Sequence, residues 1–253
     1  DGGIVDGSWG FEAGQTAVGD IFAWFIDNCV PGSYFDEADH RGIGVYDLLT
    51  EKCARQEVGA HGLIALDWHN GNRSVLADAI LSVMILGQTL TTTPEDQYRA
   101  LLESTAFGAR TIIESFRDSG VEINELVVAG GLTKNTFLMQ LFCDICRVPL
   151  SVGTIKQPGA HGSAVFAAVA ADLYPDVTAA SAAMGAKKAG VYQIDEQRAE
   201  QYDALYAEYA QLHDYFGRGG NQVMHRLKEI RCQAHLRAQE STETSNSGNG
   251  AHL

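Results

Sequence analysis

The sequence predicts an α/β protein with a layered sheet, on three observations. Short apolar runs bounded by glycine, such as Leu126 to Ala129, suit buried strands, and long stretches repeat apolar residues at three- and four-residue steps, as helices do. Between them lies ELVVAGGLTKNTFLMQLFCDICRVPLSVG, which reads strand, glycine turn, helix, strand. The simplest closure of that unit is a right-handed crossover between parallel strands. That order of elements gives the fold class.

Taken in order, Gly3 to Gln15 mixes glycines with short apolar pieces and predicts a hairpin or strand pair. TAVGDIFAWFIDNCV predicts a helix whose inner face carries Val18, Ile21, Phe22, Phe25, Ile26 and Cys29, stopped by Pro31 and Gly32. PGSYFDEADHRG is polar and acidic and reads as a surface loop. A short helix is expected over Tyr46 to Val58, a buried strand over Leu63 to Leu66, and a turn at Asn70, Gly71 and Asn72. Ala77 to Leu90 suggests another short helix. After it, Thr93 offers an N-cap, Pro94 a first helical position, and Glu95 and Asp96 the acidic first turn of a long helix. Its inner face runs Tyr98, Leu101, Leu102, Thr105, Ala109, Ile112, Ile113 and Phe116, and Gly120 ends it.

The central unit then places strands at Leu126 to Ala129 and Leu150 to Val152, with a helix over Asn135 to Cys146. AHGSAVFAAVAADLY is a further helix of small residues. Past Val191 only helices are expected. One carries Tyr202, Leu205, Tyr206, Tyr209, Leu212, Tyr215 and Phe216 on a stripe, buried either against its own domain or in a homodimer. GRGG breaks it, and the basic stretch HRLKEIR reads as a solvated helix face or a clamp onto a neighbouring domain. The divisions expected are a domain over 1–190, a helical extension over 191–238 and a disordered tail over 239–253.

The 253 residues, 45% apolar and 20% charged, suffice for a real core and exclude wholesale disorder. A formal charge of −14 repels nucleic acid and anionic lipid, so neither is an expected partner. It leaves room for a local anion site made of backbone N–H groups. The five cysteines are odd in number and sparse, unlike a secreted disulfide framework. Cys143 and Cys146 form a C-x-x-C, read as a redox or zinc pair or as small buried helix residues; no second pair or spaced His accompanies them. No apolar run reaches the roughly 18 residues of a membrane span, and the chain opens without a signal pattern, so a cytoplasmic protein is expected. The missing initial Met suggests a piece of something longer.

Three groups of residues are candidates for chemistry. Gly130 and Gly131, between strand and helix, let a ligand lie against bare backbone beside free helix-start N–H groups, with Asn135 as a two-way hydrogen bonder. The same pair also serves as a plain tight turn. The spacing is neither G-x-G-x-x-G nor a P-loop. Glu12, beside Gly14 at the end of an expected strand, is an acceptor suited to sugar hydroxyls, or a solvated strand-end carboxylate. Asp67, His69, Asn70 and Arg73 crowd the exit of a buried strand, where α/β proteins keep their sites, or else brace the loop. GRGG at Arg218 follows no strand and is a helix break rather than a phosphate loop.

Jointly, GFEAGQTAVGDIFAWF, LDWHNGNRSVLAD, ILGQTLTTTPEDQYRALLESTAFGARTIIESF, VVAGGLTKN and LYAEYAQLHDYFGRGG resemble the C-terminal half of the FGGY carbohydrate kinases. The GG-x-x-x-N element is family-wide, whereas DWHNGNR and LHDYFGRGG point to the ribulokinase branch. The likeness runs from about Gly3 to about Arg231. It implies an actin-like (ribonuclease H-like) fold in two domains, with ATP, Mg²⁺ and L-ribulose meeting in the cleft between them. By matching motifs, Gly130, Gly131 and Asn135 would line the adenosine pocket, Gly14 and Gln15 would approach the phosphates, and Glu12 would hydrogen-bond the sugar. The general base is implied upstream of Asp1, in an N-terminal kinase domain outside this sequence, so these residues alone are expected to be inactive. His161 and Ser163 depart from the smaller, more apolar run of relatives, which touches only how that helix packs. Rival readings are another sugar or polyol kinase of the family, such as a xylulokinase, and a non-catalytic actin-like nucleotide-binding module.

Overall fold

The computed structural model describes residues 2–155, 157–185 and 188–248. Residues 2–17 are irregular, not a strand pair: they find no ladder partner, and Ile4 and Trp9 stay 66% and 72% exposed. Helix α1 (Gly19–Cys29) buries Ile21, Phe22, Phe25 and Ile26 of the face its periodicity predicted, with Val18 half-buried, while Cys29, in its last turn, is exposed instead. The expected acidic loop is instead helix α2 (Gly32–Arg41). Only Ala38 of it is buried, so apolar spacing could not reveal it; Gly42, left-handed at φ 64°, closes its end, and Arg41 lies 3.9 Å from Glu37 one turn back. Helix α3 (Val45–Ala54) follows, with Leu48, Leu49 and Cys53 inward.

Strand β1 (Ile64–Leu66) pairs antiparallel with β2 (Met84–Leu86), Ala65 opposite Ile85. Residues 77–90 therefore do not form the expected helix. Their apolar run supplies a ladder partner to β1, and pairing overrides local helical spacing. Helix α4 (Pro94–Asp118) begins with a reciprocal cap. The Thr93 hydroxyl accepts from the Asp96 N–H, and the Asp96 carboxylate accepts from the Thr93 N–H at 2.8 Å. It is the spine of the core, packing against α1, α3, β1 and α8 (Glu196–Gly217).

Strand β3 (Leu126–Val128) leads through a 3-10 turn at Gly131–Lys134 into helix α5 (Thr136–Cys146), and then strand β4 (Leu150–Gly153). β3 and β4 are parallel, Leu126 opposite Leu150, as the crossover reading required. Helix α6 (Pro158–Ala170) turns only Val165 and Ala168 fully inward, while Ser163 bonds back to the Gly159 carbonyl. Helix α7 (Val177–Met184) and strand β5 (Lys188–Tyr192), antiparallel to β4, complete the sheet in the order β3-β4-β5; neither was expected from sequence.

Most of the α8 stripe packs on this chain's own core: Tyr202, Tyr206 and Tyr209 belong to the main cluster with α1, α4 and β1, and Leu205, Leu212 and Phe216 pack against it, while Tyr215 is exposed. Asp203 fastens the helix further, accepting from Arg110 and Arg147 at 2.6 Å each. Helix α9 (Val223–Gly248) carries HRLKEIR, and its first turns clamp onto the 78–82 segment of the same chain. His225 meets Asp78 at 2.8 Å, Lys228 donates to the Ala79 carbonyl, and the Met224 sulfur accepts from the Ser82 N–H. Residues 239–248, expected as disordered tail, continue α9, carried by the helix formers before them; 249–253 lie outside the described residues. Among the described residues no helix is long and apolar enough to cross a membrane. Cys143 and Cys146 are free thiols buried in α5, and burial pushes both thiols up, to about 11 and about 12.

Candidate functional site

The glycine turn opens on a cavity of about 590 Å³, the size of a small-ligand site. Phe22, Ile43 and Tyr46 give it an apolar and aromatic wall; Gly131, Lys134 and Asn135 form the side at the turn. Gly130 takes φ 103° and ψ −168°, a conformation closed to other residues, and a Cβ at either glycine would meet nothing within 4 Å. The turn therefore presents bare backbone to open space. Lys134 adds a cation at the rim of an otherwise acidic protein.

Asn135 is engaged on both ends of its amide. Its Oδ1 caps α5 by accepting from the Leu138 N–H at 2.9 Å, and its Nδ2 donates to the Thr50 hydroxyl at 3.1 Å. One N–H and one lone pair remain for a ligand. Thr50 and Tyr98 also line this cavity, and burial first of all raises the Tyr98 phenol far above its ordinary value, so it stays a donor. Phe22, Tyr46, Thr50 and Tyr98 went unnoticed as site residues, because they lie on helices whose periodicity announces only core.

Glu12 and Gly14 stand in a separate cluster. Glu12 pairs with Arg73 at 2.5 Å, with the two side chains 77% and 60% exposed, and the Gly14 N–H donates to the Ser74 hydroxyl at 3.1 Å. The 12–16 loop is thus stitched to the NGNRS turn; the Thr16 hydroxyl adds a bond to the Gly71 carbonyl at 2.8 Å. Gln15 turns inward instead, its Nε2 donating to Asp67 at 2.7 Å and to the Thr105 carbonyl at 2.8 Å. Of the sequence candidates, Gly131 and Asn135 share the cavity, while Glu12, Gly14 and Gln15 share a loop that runs into α1, whose Gly19 and Phe22 line that cavity.

The DWHN stretch serves mainly as bracing. Asp67 is buried and accepts from the Tyr209 hydroxyl at 3.1 Å. Burial lifts its carboxyl to about 6, against the opposing pull of the bonds from Gln15 and Tyr209. Trp68 packs edge-on against His213 at 5.5 Å between centroids, and His69 against Trp24 at 5.2 Å. Burial pushes the His69 imidazole below its ordinary value, so it is a neutral ring at pH 7. Among the described residues no three His, Cys, Asp or Glu side chains converge as metal ligands.

Comparison with solved structures defines the fold. The fold is shared with the xylulose kinases of Lactobacillus acidophilus (TM-score 0.65, 21% identity, 78% of this chain and 37% of that one) and Rhodospirillum rubrum (0.64, 24%, 79% and 38%). These likenesses show the fold, the actin-like α/β architecture expected from the sequence. Residues 1–171 match the FGGY family of carbohydrate kinases, C-terminal domain, and the chain belongs to that family. Similar relatives are the ribulokinase of Mycolicibacterium smegmatis, 55% identical over 94% of this chain, and that of Halalkalibacterium halodurans, 49% identical over 92%. The chain spans 42% of the length of each.

Proposed function

We propose that this chain is part of an ATP-dependent pentulose kinase that phosphorylates the terminal hydroxyl of L-ribulose in L-arabinose catabolism. The observation that supports it best is the 46–55% identity to ribulokinases over some nine-tenths of the chain, DWHNGNR and LHDYFGRGG blocks included. In this reading the 590 Å³ cavity takes the adenosine, with Gly131 on its lining, Gly130 turning the chain just before it, and Asn135 beside them. Gly14 lies toward the phosphates and Glu12 accepts from a sugar hydroxyl.

The reaction is a transfer between oxygens. The sugar hydroxyl attacks the γ-phosphorus, its proton passes to a carboxylate, and the bond to the leaving ADP breaks. That carboxylate is assigned to the part of a longer protein before residue 1. Closing such a part over this one would exclude water, which otherwise competes as acceptor. Mg²⁺ enters with the nucleotide, as MgATP; a hydrated ion held through phosphates needs no protein cage.

The test is a substrate panel on the full-length protein, with and without Glu12→Ala. L-ribulose is expected to be preferred, and Glu12→Ala to weaken sugar binding while leaving ATP binding intact. Preference for D-xylulose, or loss of neither ligand in the variant, would overturn the assignment.

A further inference from the structure

Resting on the kinase reading, we infer that Asp67 is a positioning residue that, together with the Thr105 carbonyl, sets which end of the Gln15 amide the site can use, so that Gln15 serves as an acceptor for an O–H donor and not as a donor to phosphate. Gln15 Nε2 lies 2.7 Å from an Asp67 carboxylate oxygen and 2.8 Å from the Thr105 carbonyl. A carbonyl can only accept, so the atom facing it is the nitrogen, and both of its hydrogens are spent. What Gln15 has left is the lone pairs of Oε1. Phosphate oxygens carry no hydrogen and gain nothing from an acceptor. Sugar hydroxyls and water on Mg²⁺ both supply the required O–H.

The orientation is built in from two further sides as well as from Thr105. Tyr209 holds the second Asp67 oxygen at 3.1 Å, so the carboxylate cannot swing away from Gln15. Position 108 of α4 is glycine, and a Cβ there would come within 2.6 Å of Gln15 Nε2 and 2.7 Å of Asp67 Oδ2. Thr105, one turn earlier on α4, gives the second acceptor. Tyr209 lies beyond the residues 1–171 that match the family domain, so α8 contributes to the site through Asp67.

The experiment compares Asp67→Leu with Asp67→Asn in the full-length protein. Asn can keep Oδ1 toward Gln15 while its Nδ2 donates to the Tyr209 oxygen, so it preserves the orientation; Leu removes one of the two acceptors, freeing an Nε2 hydrogen and leaving the amide held by the Thr105 carbonyl alone. Should the Leu variant not fold, Gln15→Met, of equal length and without an acceptor, takes its place. Three quantities are measured: the L-ribulose dissociation constant without nucleotide, the Mg²⁺ activation constant of turnover, and the ADP dissociation constant in EDTA. Asp67→Leu is expected to weaken the first or the second by about fivefold to tenfold, the worth of one hydrogen bond, with Asn within about twofold of the unmutated protein. A change in sugar binding makes the donor a sugar hydroxyl; a change in Mg²⁺ activation alone makes it coordinated water. Weaker ADP binding in EDTA, no change in any constant, or equal damage from Asn and Leu overturns the inference. An unmutated protein that phosphorylates no ketopentose defeats the kinase reading itself, before any variant is compared.

Discussion

Asp67→Asn is expected to make the chain more stable at neutral pH. Burial lifts the Asp67 carboxyl from an ordinary 3.8 to about 6. Between those values the folded chain holds a proton that the unfolded chain has released, so stability falls as pH rises through this window and is level above it. The two-unit displacement, at about 1.4 kcal/mol per unit, amounts to roughly 3 kcal/mol. Asn cannot ionise and is nearly isosteric with the protonated acid. The difference between variant and unmutated chain should be small near pH 4, grow in favour of Asn to about 3 kcal/mol by pH 6, and stay there. Carboxylates held low by cations, such as Asp203 beside Arg147 and Arg110, shift both proteins alike and cancel. Urea unfolding at half-unit pH steps reads this directly, since about 3 kcal/mol moves the midpoint by about 1 M or more. A difference that does not vary with pH, or an Asn variant less stable at pH 7.5, would refute the reasoning.

Two other substitutions probe the scaffold. Arg99→Ala should cost about 3–5 kcal/mol in the same unfolding assay, because it strips a buried Glu103 of its 2.8 Å partner and removes the guanidinium donor to the Cys53 and Gln56 carbonyls; a loss below about 1 kcal/mol would mean the network reorganises around His61 and Tyr202. Asn135→Ala should cost about 1 kcal/mol through the lost α5 cap, with Asn135→Asp recovering most of it. Equal losses from the two would place the cost in the Thr50 bond instead.

What could be read from the sequence follows the range over which each feature is encoded. The start of α4 is written within four residues, Thr93 to Asp96, and the structure realises it atom for atom. The β3–turn–α5–β4 unit and the α8 stripe are equally local, repeating at one helical period or closing over one crossover. The 77–90 run failed because its fate is set by β1, some twenty positions back, and 3–15 failed because, among the described residues, no strand forms a ladder with it. α2 failed for the opposite reason: it buries one alanine, so no apolar signal exists to read.

The site divides along the same line. Gly131 and Asn135 are four positions apart, and their placement at one cavity follows from the turn they share. Gln15 could be named from its motif, but its bonding could not. Its partners Asp67 and Thr105 lie 52 and 90 positions away, and Tyr209 reaches Asp67 across 142. Motif spacing identifies which side chains are present at a site. The chemistry each has left to offer is decided by long-range bonds that consume part of it, and so Gln15, which the family resemblance would put near the phosphates, keeps in the folded chain only the lone pairs of its amide oxygen.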